Sequence, residues 1–140
     1  MRNTAIFLVL ILITGCARKP EYREAPVVKD EIAVSISTLT GKTPVFFSYI
    51  HEGKRYDFFV QSVDGEVRAF VDACFKCAPK QKGFETERGR LRCRACGESF
   101  QLENLSGIGS CYPIPLSGEL REGTYFVRID QLFAKSRYPL

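Results

Sequence analysis

The chain of 140 residues contains one histidine, His51, and one methionine, the initiator Met1. That scarcity removes the thioether and multi-imidazole ligands on which a copper site relies. It also leaves no evident base–nucleophile pair, so an independent hydrolase finds no support. His51 opens the turn sequence His51-Glu52-Gly53-Lys54 and is expected at the surface. Long apolar runs are missing as well. The uncharged stretch Ala5 to Ile13 is about half of the roughly 20 residues a bilayer-spanning helix requires. No segment holds an apolar stripe at 3.6-residue spacing through three turns, and nothing repeats except two C-x-x-C units.

A short apolar run near the start has a different meaning. Arg2 gives a positive beginning, the run follows, and Ile13-Thr14-Gly15-Cys16 places small residues before a cysteine. This end resembles the lipobox of bacterial lipoproteins, which implies that residues 1–15 are a signal peptide and that Cys16 is lipidated. The domain is then expected at the cell envelope, membrane-anchored and facing the periplasm or cell exterior. Ala17 follows the cysteine, so no acidic residue argues for retention at the inner membrane. Arg2 is followed by Asn3 rather than a second arginine, which predicts export unfolded through the general secretory route. Loading a cofactor after export is easier for a simple ion than for a preassembled cluster. Residues 16–30, charged and with two prolines, read as a flexible tether. The folded domain is expected over 31–134, with a short tail at 135–140.

The body reads as mainly β. Ile32, Val34 and Ile36 alternate with small residues, the period of a half-buried strand. Val45 to Ile50, Tyr56 to Val63 and Glu66 to Asp72 follow as strands. Asp64-Gly65 predicts a type I′ hairpin turn. A second turn is expected at Glu87-Arg88-Gly89-Arg90, an extended piece over Ser99 to Leu102 and a loop over 103–113. Pro113 and Pro115 exclude a central strand there. Tyr125 to Ile129 closes the sheet, and Asp130 caps a single helical turn over Gln131 to Ala134. The fold class is a small antiparallel sheet or barrel-like domain carrying two cysteine knuckles.

Cys74, Cys77, Cys93 and Cys96 form C-x2-C, fifteen intervening residues, then C-x2-C. Two such turns each aim two thiolates at one point, as a tetrahedral metal or an iron–sulfur cluster requires. Gly97 completes a C-x-x-C-G knuckle, in which backbone N–H groups face the sulfurs. Cys111 is a fifth cysteine, open to use as a ligand, an outer thiol or a buried filler. The competing use is disulfides, suited to an exported chain, although five cysteines would leave one unpaired. A thioredoxin-like pair would start a helix, whereas Ala78-Pro79 and Gly97 follow these pairs. On spacing alone structural Zn2+ is the default. A Rieske centre, needing two histidines, is excluded. Seven cations, Lys76, Lys80, Lys82, Arg88, Arg90, Arg92 and Arg94, lie among these cysteines against Glu85 and Glu87. They are expected either to compensate a thiolate centre or to form a solvated face. An exported chain meets little nucleic acid, so none is expected as a partner.

Phe70-Val71-Asp72-Ala73-Cys74-Phe75-Lys76-Cys77, with Cys93-Arg94-Ala95-Cys96-Gly97 and Gly109-Ser110-Cys111-Tyr112-Pro113-Ile114-Pro115-Leu116, resembles the FtrD-like membrane iron–sulfur protein family. The preceding hairpin, Tyr56 to Val60 through Asp64-Gly65, is also similar. The resemblance implies an iron–sulfur cluster at Cys74, Cys77, Cys93, Cys96 and Cys111. It further implies electron transfer in a bacterial iron-uptake system, beside a membrane permease and a periplasmic metal-binding protein. Cys93 to Phe100 also resembles the second cluster-binding loop of Rieske domains with cysteine in place of histidine, which implies a Rieske-like or rubredoxin-like arrangement of two ligand loops. Three functions follow. The first is a lipid-anchored electron-transfer protein, non-catalytic by itself. The second is a zinc-ribbon module in which Zn2+ only holds the fold of a membrane-associated complex. The third is a metal-delivery protein exchanging through Cys111.

Overall fold

The computed structural model describes residues 19–105 and 111–136. The expected signal peptide and Cys16 lie outside the described residues, as do 106–110 and 137–140. The central sheet has five strands in the order β1 (Tyr22–Glu24), β4 (Val45–His51), β5 (Lys54–Val63), β6 (Glu66–Cys74) and β10 (Pro113–Leu116). A second sheet orders β11 (Gly118–Arg121), β12 (Thr124–Arg128), β3 (Glu31–Ser35) and β2 (Val27–Val28). The third, smaller sheet is β7 (Phe84–Glu87), β8 (Arg90–Cys93) and β9 (Ser99–Gln101). All pairings are antiparallel except β1 with β4. The domain is mainly β with small antiparallel sheets, as the alternation predicts.

Both faces of the central sheet are covered, which explains its doubled phenylalanines. Phe46 and Phe47 stand opposite Phe59 and Phe58, which in turn stand opposite Phe70 and Val71. Successive side chains on a strand point to opposite faces. Phe47, Phe58 and Val71 therefore meet Ile32, Val34, Tyr125 and Val127 of the second sheet. Phe46, Phe59 and Phe70 instead meet the cysteines, Phe84, Leu91 and Phe100 of the small sheet. A sheet buried on both sides reads as continuous apolar runs, and Phe58-Phe59-Val60 is such a run. Two cores result, one on each face.

Several expectations need correction. Residues 22–28, read as tether, are built into the sheets: β1 pairs with β4, and β2 pairs with β3. The ordered domain thus begins before Glu31, because the edge of β4 offers unpaired backbone groups that Tyr22–Glu24 satisfies. Ile36 leaves the strand and starts a 3-10 turn over Ile36–Thr38, where it is exposed. The excursion after the first cysteine pair contains a strand, β7, paired with β8 about the Arg88-Gly89 turn. Pro113–Leu116 is a strand, but at the sheet edge, with a register shift between the prolines. The single turn near the end is a full helix, α1 (Ile129–Ser136), held on the first core by the fully buried Leu132. Asp130 lies in its first turn with its carboxylate on Arg128. His51 is exposed and stacks on Tyr49 and Phe133. No helix among the described residues is long and apolar enough to cross a membrane.

Candidate metal centre

β6 carries Phe70, Asp72 and Cys74 at alternate positions, so all three point to the same face of the central sheet. Cys74 then begins a 3-10 turn over Phe75–Lys80 that contains Cys77. Ala78-Pro79 thus sits inside a short 3-10 turn and not in the α-helix that a thioredoxin-like pair would start. Proline fixes φ in the helical range, and a turn this short loses little from the missing N–H. Gln81 ends the turn in the left-handed region, with φ of 48°. The first knuckle is thus a helical turn, not the mirror image of the second.

The second knuckle follows β8. Phe84 stands opposite Cys93 in the hairpin, and the Cys93 N–H donates to the Glu98 carbonyl at 2.8 Å. The Gly97 N–H returns to the Cys93 carbonyl at 2.9 Å, a reversal that needs φ of +81° and hence glycine. Backbone N–H groups of Cys96 and Ala95 donate to the Cys93 sulfur, that of Glu98 to the Cys96 sulfur, and that of Cys77 to the Cys74 sulfur. The expected knuckle geometry is present.

The four thiols Cys74, Cys77, Cys93 and Cys96 place their sulfurs within 4.8 Å of one another. Cys111 joins them because Pro113 pairs with Cys74, which carries Cys111 to the end of β6. Its sulfur is 3.1 Å from that of Cys96 and 3.8 Å from that of Cys74, and Cys74 and Cys93 are 3.7 Å apart. The Phe75 N–H donates to the Tyr112 carbonyl at 2.8 Å and the two rings stack, which fixes this approach. All five are free thiols, so the disulfide framework is not formed.

The donor set fits a thiolate-bound centre. A tetrahedron of sulfurs about 2.3 Å from a metal has edges of about 3.8 Å, close to the Cys74–Cys93 separation. Cys74, Cys77 and Cys93 are buried, Cys111 is half-buried and Cys96 is exposed. Burial pushes the Cys74 thiol well up, with its Cys77 and Cys93 neighbours adding to the shift. Burial likewise raises Cys93 against its two backbone donors. At Cys96 burial is outweighed by donation from the Cys111 thiol and the Glu98 N–H, and the thiol falls to about 7. Cys111 rises to about 11 through burial and its contact with Cys96. Metal binding must therefore displace protons from the buried side, as thiolate ligation demands.

Burial, neighbouring thiols and backbone N–H groups act on these sulfurs more strongly than the nearby cations do. Arg92 is instead spent on Glu85 at 3.0 Å and Glu87 at 3.8 Å, across the β7–β8 hairpin. The basic run is mostly a solvated face plus this ladder.

Sequence patterns did not point to the groups that clip the small sheet to the large one. Asp72 is buried, accepts the Phe84 N–H at 2.7 Å and receives a hydrogen bond from the Tyr22 hydroxyl. It thereby ties the strand of Cys74 to the residue opposite Cys93. Gly83 lies against its carboxylate, where a Cβ would collide. Burial pushes the Asp72 carboxyl up to about 6 despite the Tyr22 and Phe84 hydrogen bonds. Gln61, fully buried on the same face, donates to the Leu102 carbonyl at 2.9 Å. Glu85 is the third buried polar side chain among the described residues, and all three serve the cysteine side. The available signal was an ionisable residue inside an apolar strand, Phe70-Val71-Asp72-Ala73.

Residues 39–138 match a family described as membrane iron–sulfur containing protein, FtrD-like. No curated protein matches the chain. Among solved structures, the quaternary ammonium Rieske monooxygenase CntA is 18% identical over 74% of this chain and 32% of its own, with a TM-score of 0.49. The chain thus spans about a third of that enzyme. The ferredoxin of carbazole 1,9a-dioxygenase from Nocardioides aromaticivorans is 12% identical over 71% of this chain and 98% of its own, at 0.45. The plasma membrane Rieske protein PetC3 of Synechocystis is 12% identical over 69% and 98%, at 0.40.

Proposed function

The chain belongs to the FtrD-like membrane iron–sulfur protein family and its cofactor is an iron–sulfur cluster; from that premise we propose that it is an electron-transfer protein tethered to the envelope through lipidated Cys16. The observation that carries this reading is the convergence of four thiols on one point, buried toward the sheet and open at Cys96 and Cys111. The ligands in this reading are Cys74, Cys77, Cys93 and Cys96, with Cys111 beside them as a further ligand or exchange thiol. By family kinship the partners are a membrane permease and a periplasmic metal-binding protein of an iron-uptake system.

The cluster supplies one-electron chemistry. The chain's own residues set its conditions. Phe59, Phe70, Phe84 and Phe100 exclude water from the inner thiols. Backbone N–H groups on Cys74, Cys93 and Cys96 stabilise thiolate charge and favour the reduced state. All-thiolate ligation acts the other way, leaving more negative charge on the irons than a His2Cys2 site and lowering the potential. Cys96 gives the centre an exposed edge on which a redox partner can dock.

Protein purified anaerobically should show charge-transfer bands that bleach with dithionite, together with acid-labile sulfide. A colourless protein that holds one zinc after iron and sulfide reconstitution overturns the reading in favour of the structural zinc module. The 3.7 Å between the Cys74 and Cys93 sulfurs, close to one tetrahedral edge, is the observation that favours zinc. For the anchor, Cys16→Ala should move the protein from the detergent phase to the aqueous phase on Triton X-114 partitioning. Unchanged partitioning rules the lipid anchor out.

A further inference from the structure

Beside the centre, a cavity of about 460 Å³ opens between the N-terminal segment, β5, β6 and the first cysteine turn. Its charges do not cancel. Arg55 is bound to Asp57 at 2.7 Å and lies over the Tyr22 ring, so that pair is closed. Asp72 faces the same space, held by Tyr22 and the Phe84 N–H. Lys19 and Arg94 also line it, and neither makes an ion pair among the described residues. Two free cations against one carboxylate leave about one positive charge when Asp72 is ionised.

Hydrogen bonding points the same way. Three side-chain polar atoms are buried without a partner among the described residues: Gln61 Oε1, Arg94 Nε and Ser136 Oγ. Two of them, on Arg94 and Ser136, belong to residues that line this one cavity. Both atoms are shielded from the cavity, so a ligand bearing acceptors reaches them only after a small rotation of these side chains, and it then relieves the cost of a buried donor without an acceptor. Part of the wall between these polar groups is apolar, from the edges of the Tyr22 and Tyr56 rings, Val71 and Ala78. Volume and lining suit a small organic ligand.

We propose that this cavity binds a small organic monocarboxylate, its carboxylate received by Arg94, Lys19 and Ser136 and its carbon frame lying against Tyr22 and Tyr56. The net charge matches a monoanion, and the guanidinium fork matches a carboxylate. Arg94 stands between Cys93 and Cys96 in sequence, so occupancy is felt at the centre. An anion fixed there disfavours an added electron and lowers the midpoint potential. That last consequence rests on the iron–sulfur reading, whereas binding itself does not.

The test is isothermal titration calorimetry of the full-length, metal-loaded protein with benzoate, and with benzamide as the uncharged control, at constant ionic strength. Benzoate is expected to bind saturably at one site, and benzamide at least tenfold more weakly. Arg94→Gln should weaken benzoate at least tenfold and Ser136→Ala about two- to fivefold. Should Arg94→Gln cost the metal site, Lys19→Gln, on the N-terminal segment, should still weaken benzoate several-fold. Equal binding of benzoate and benzamide, heats that never saturate, or unchanged benzoate affinity in both Lys19→Gln and Ser136→Ala overturns the proposal. A zinc-loaded sample that binds benzoate keeps the pocket if the iron–sulfur reading fails. An unchanged potential in the cluster protein saturated with benzoate overturns the coupling to the centre.

Discussion

The two cores differ in what holds them together. One, between the central and four-stranded sheets, is filled by Ile32, Val34, Phe47, Phe58, Val60, Val127 and Leu132, side chains that need no partner except each other. The other, between the central sheet and the β7–β9 sheet, counts Cys74, Cys77 and Cys93 among its buried members. Its three strands run to only four, four and three residues. Such a sheet is too small to be independently stable, so the aromatic row Phe46–Phe59–Phe70, the Asp72 and Gln61 clips and the thiolate centre must share the task. The first core is a scaffold. The second adds buried polar clips and three cysteines to its apolar packing, so metal binding there is coupled to its stability.

The largest expected effect breaks this comparison outright. Metal binding in thiolate sites contributes on the order of 10 kcal/mol to folding. Cys93→Ser should therefore abolish cofactor content and remove hydrogen-exchange protection across β7–β9, while β5 keeps most of its own. Equal loss of protection in both regions would show that the two cores are not separable.

Next come two phenylalanines chosen to separate the cores. Phe58→Ala and Phe84→Ala, both fully buried, should each cost about 3–5 kcal/mol. Chemical denaturation should find Phe58→Ala destabilised with normal visible absorption per folded molecule. Phe84→Ala should lose absorption before it unfolds globally.

A smaller effect is expected from the clip. Asp72→Ala leaves the Phe84 N–H without its acceptor, worth about 1–3 kcal/mol. Cofactor release under a chelator should accelerate, and Asp72→Asn, which keeps an acceptor, should restore much of the retention. Release at the wild-type rate in Asp72→Ala means that the clip does not hold the centre.

Cys111→Ser should perturb least, because Cys111 is only half-buried and is not one of the four thiols that all lie within 4.8 Å of one another. Stability should change by less than about 1 kcal/mol, with an altered midpoint potential or faster metal exchange. If cofactor content and redox behaviour are both unaltered, the fifth cysteine has no part in the centre.

Much of the site was legible in order of residues alone. The C-x2-C spacing and Gly97 specify two ligand turns because those signals are local: a turn brings residues three apart together whatever the rest of the chain does. The hairpins at Asp64-Gly65 and Arg88-Gly89 are local for the same reason, with positive φ at each turn residue. The period-2 alternation likewise gave the mainly β class. Tyr22 was not legible, since a three-residue edge strand inside a charged, proline-bearing stretch carries no periodicity of its own.

The sequence by itself determined that four thiols come as two pairs and that the domain is built of strands. Both are properties of neighbours along the chain. Only the tertiary structure decided that the pairs meet within 4.8 Å, that Cys111 joins them through the pairing of Pro113 with Cys74, and that Asp72 locks the two ligand loops. It also decided that backbone N–H groups donate to the sulfurs of Cys74, Cys93 and Cys96. These depend on strand order and on which face each side chain takes, which long-range pairing fixes and spacing does not.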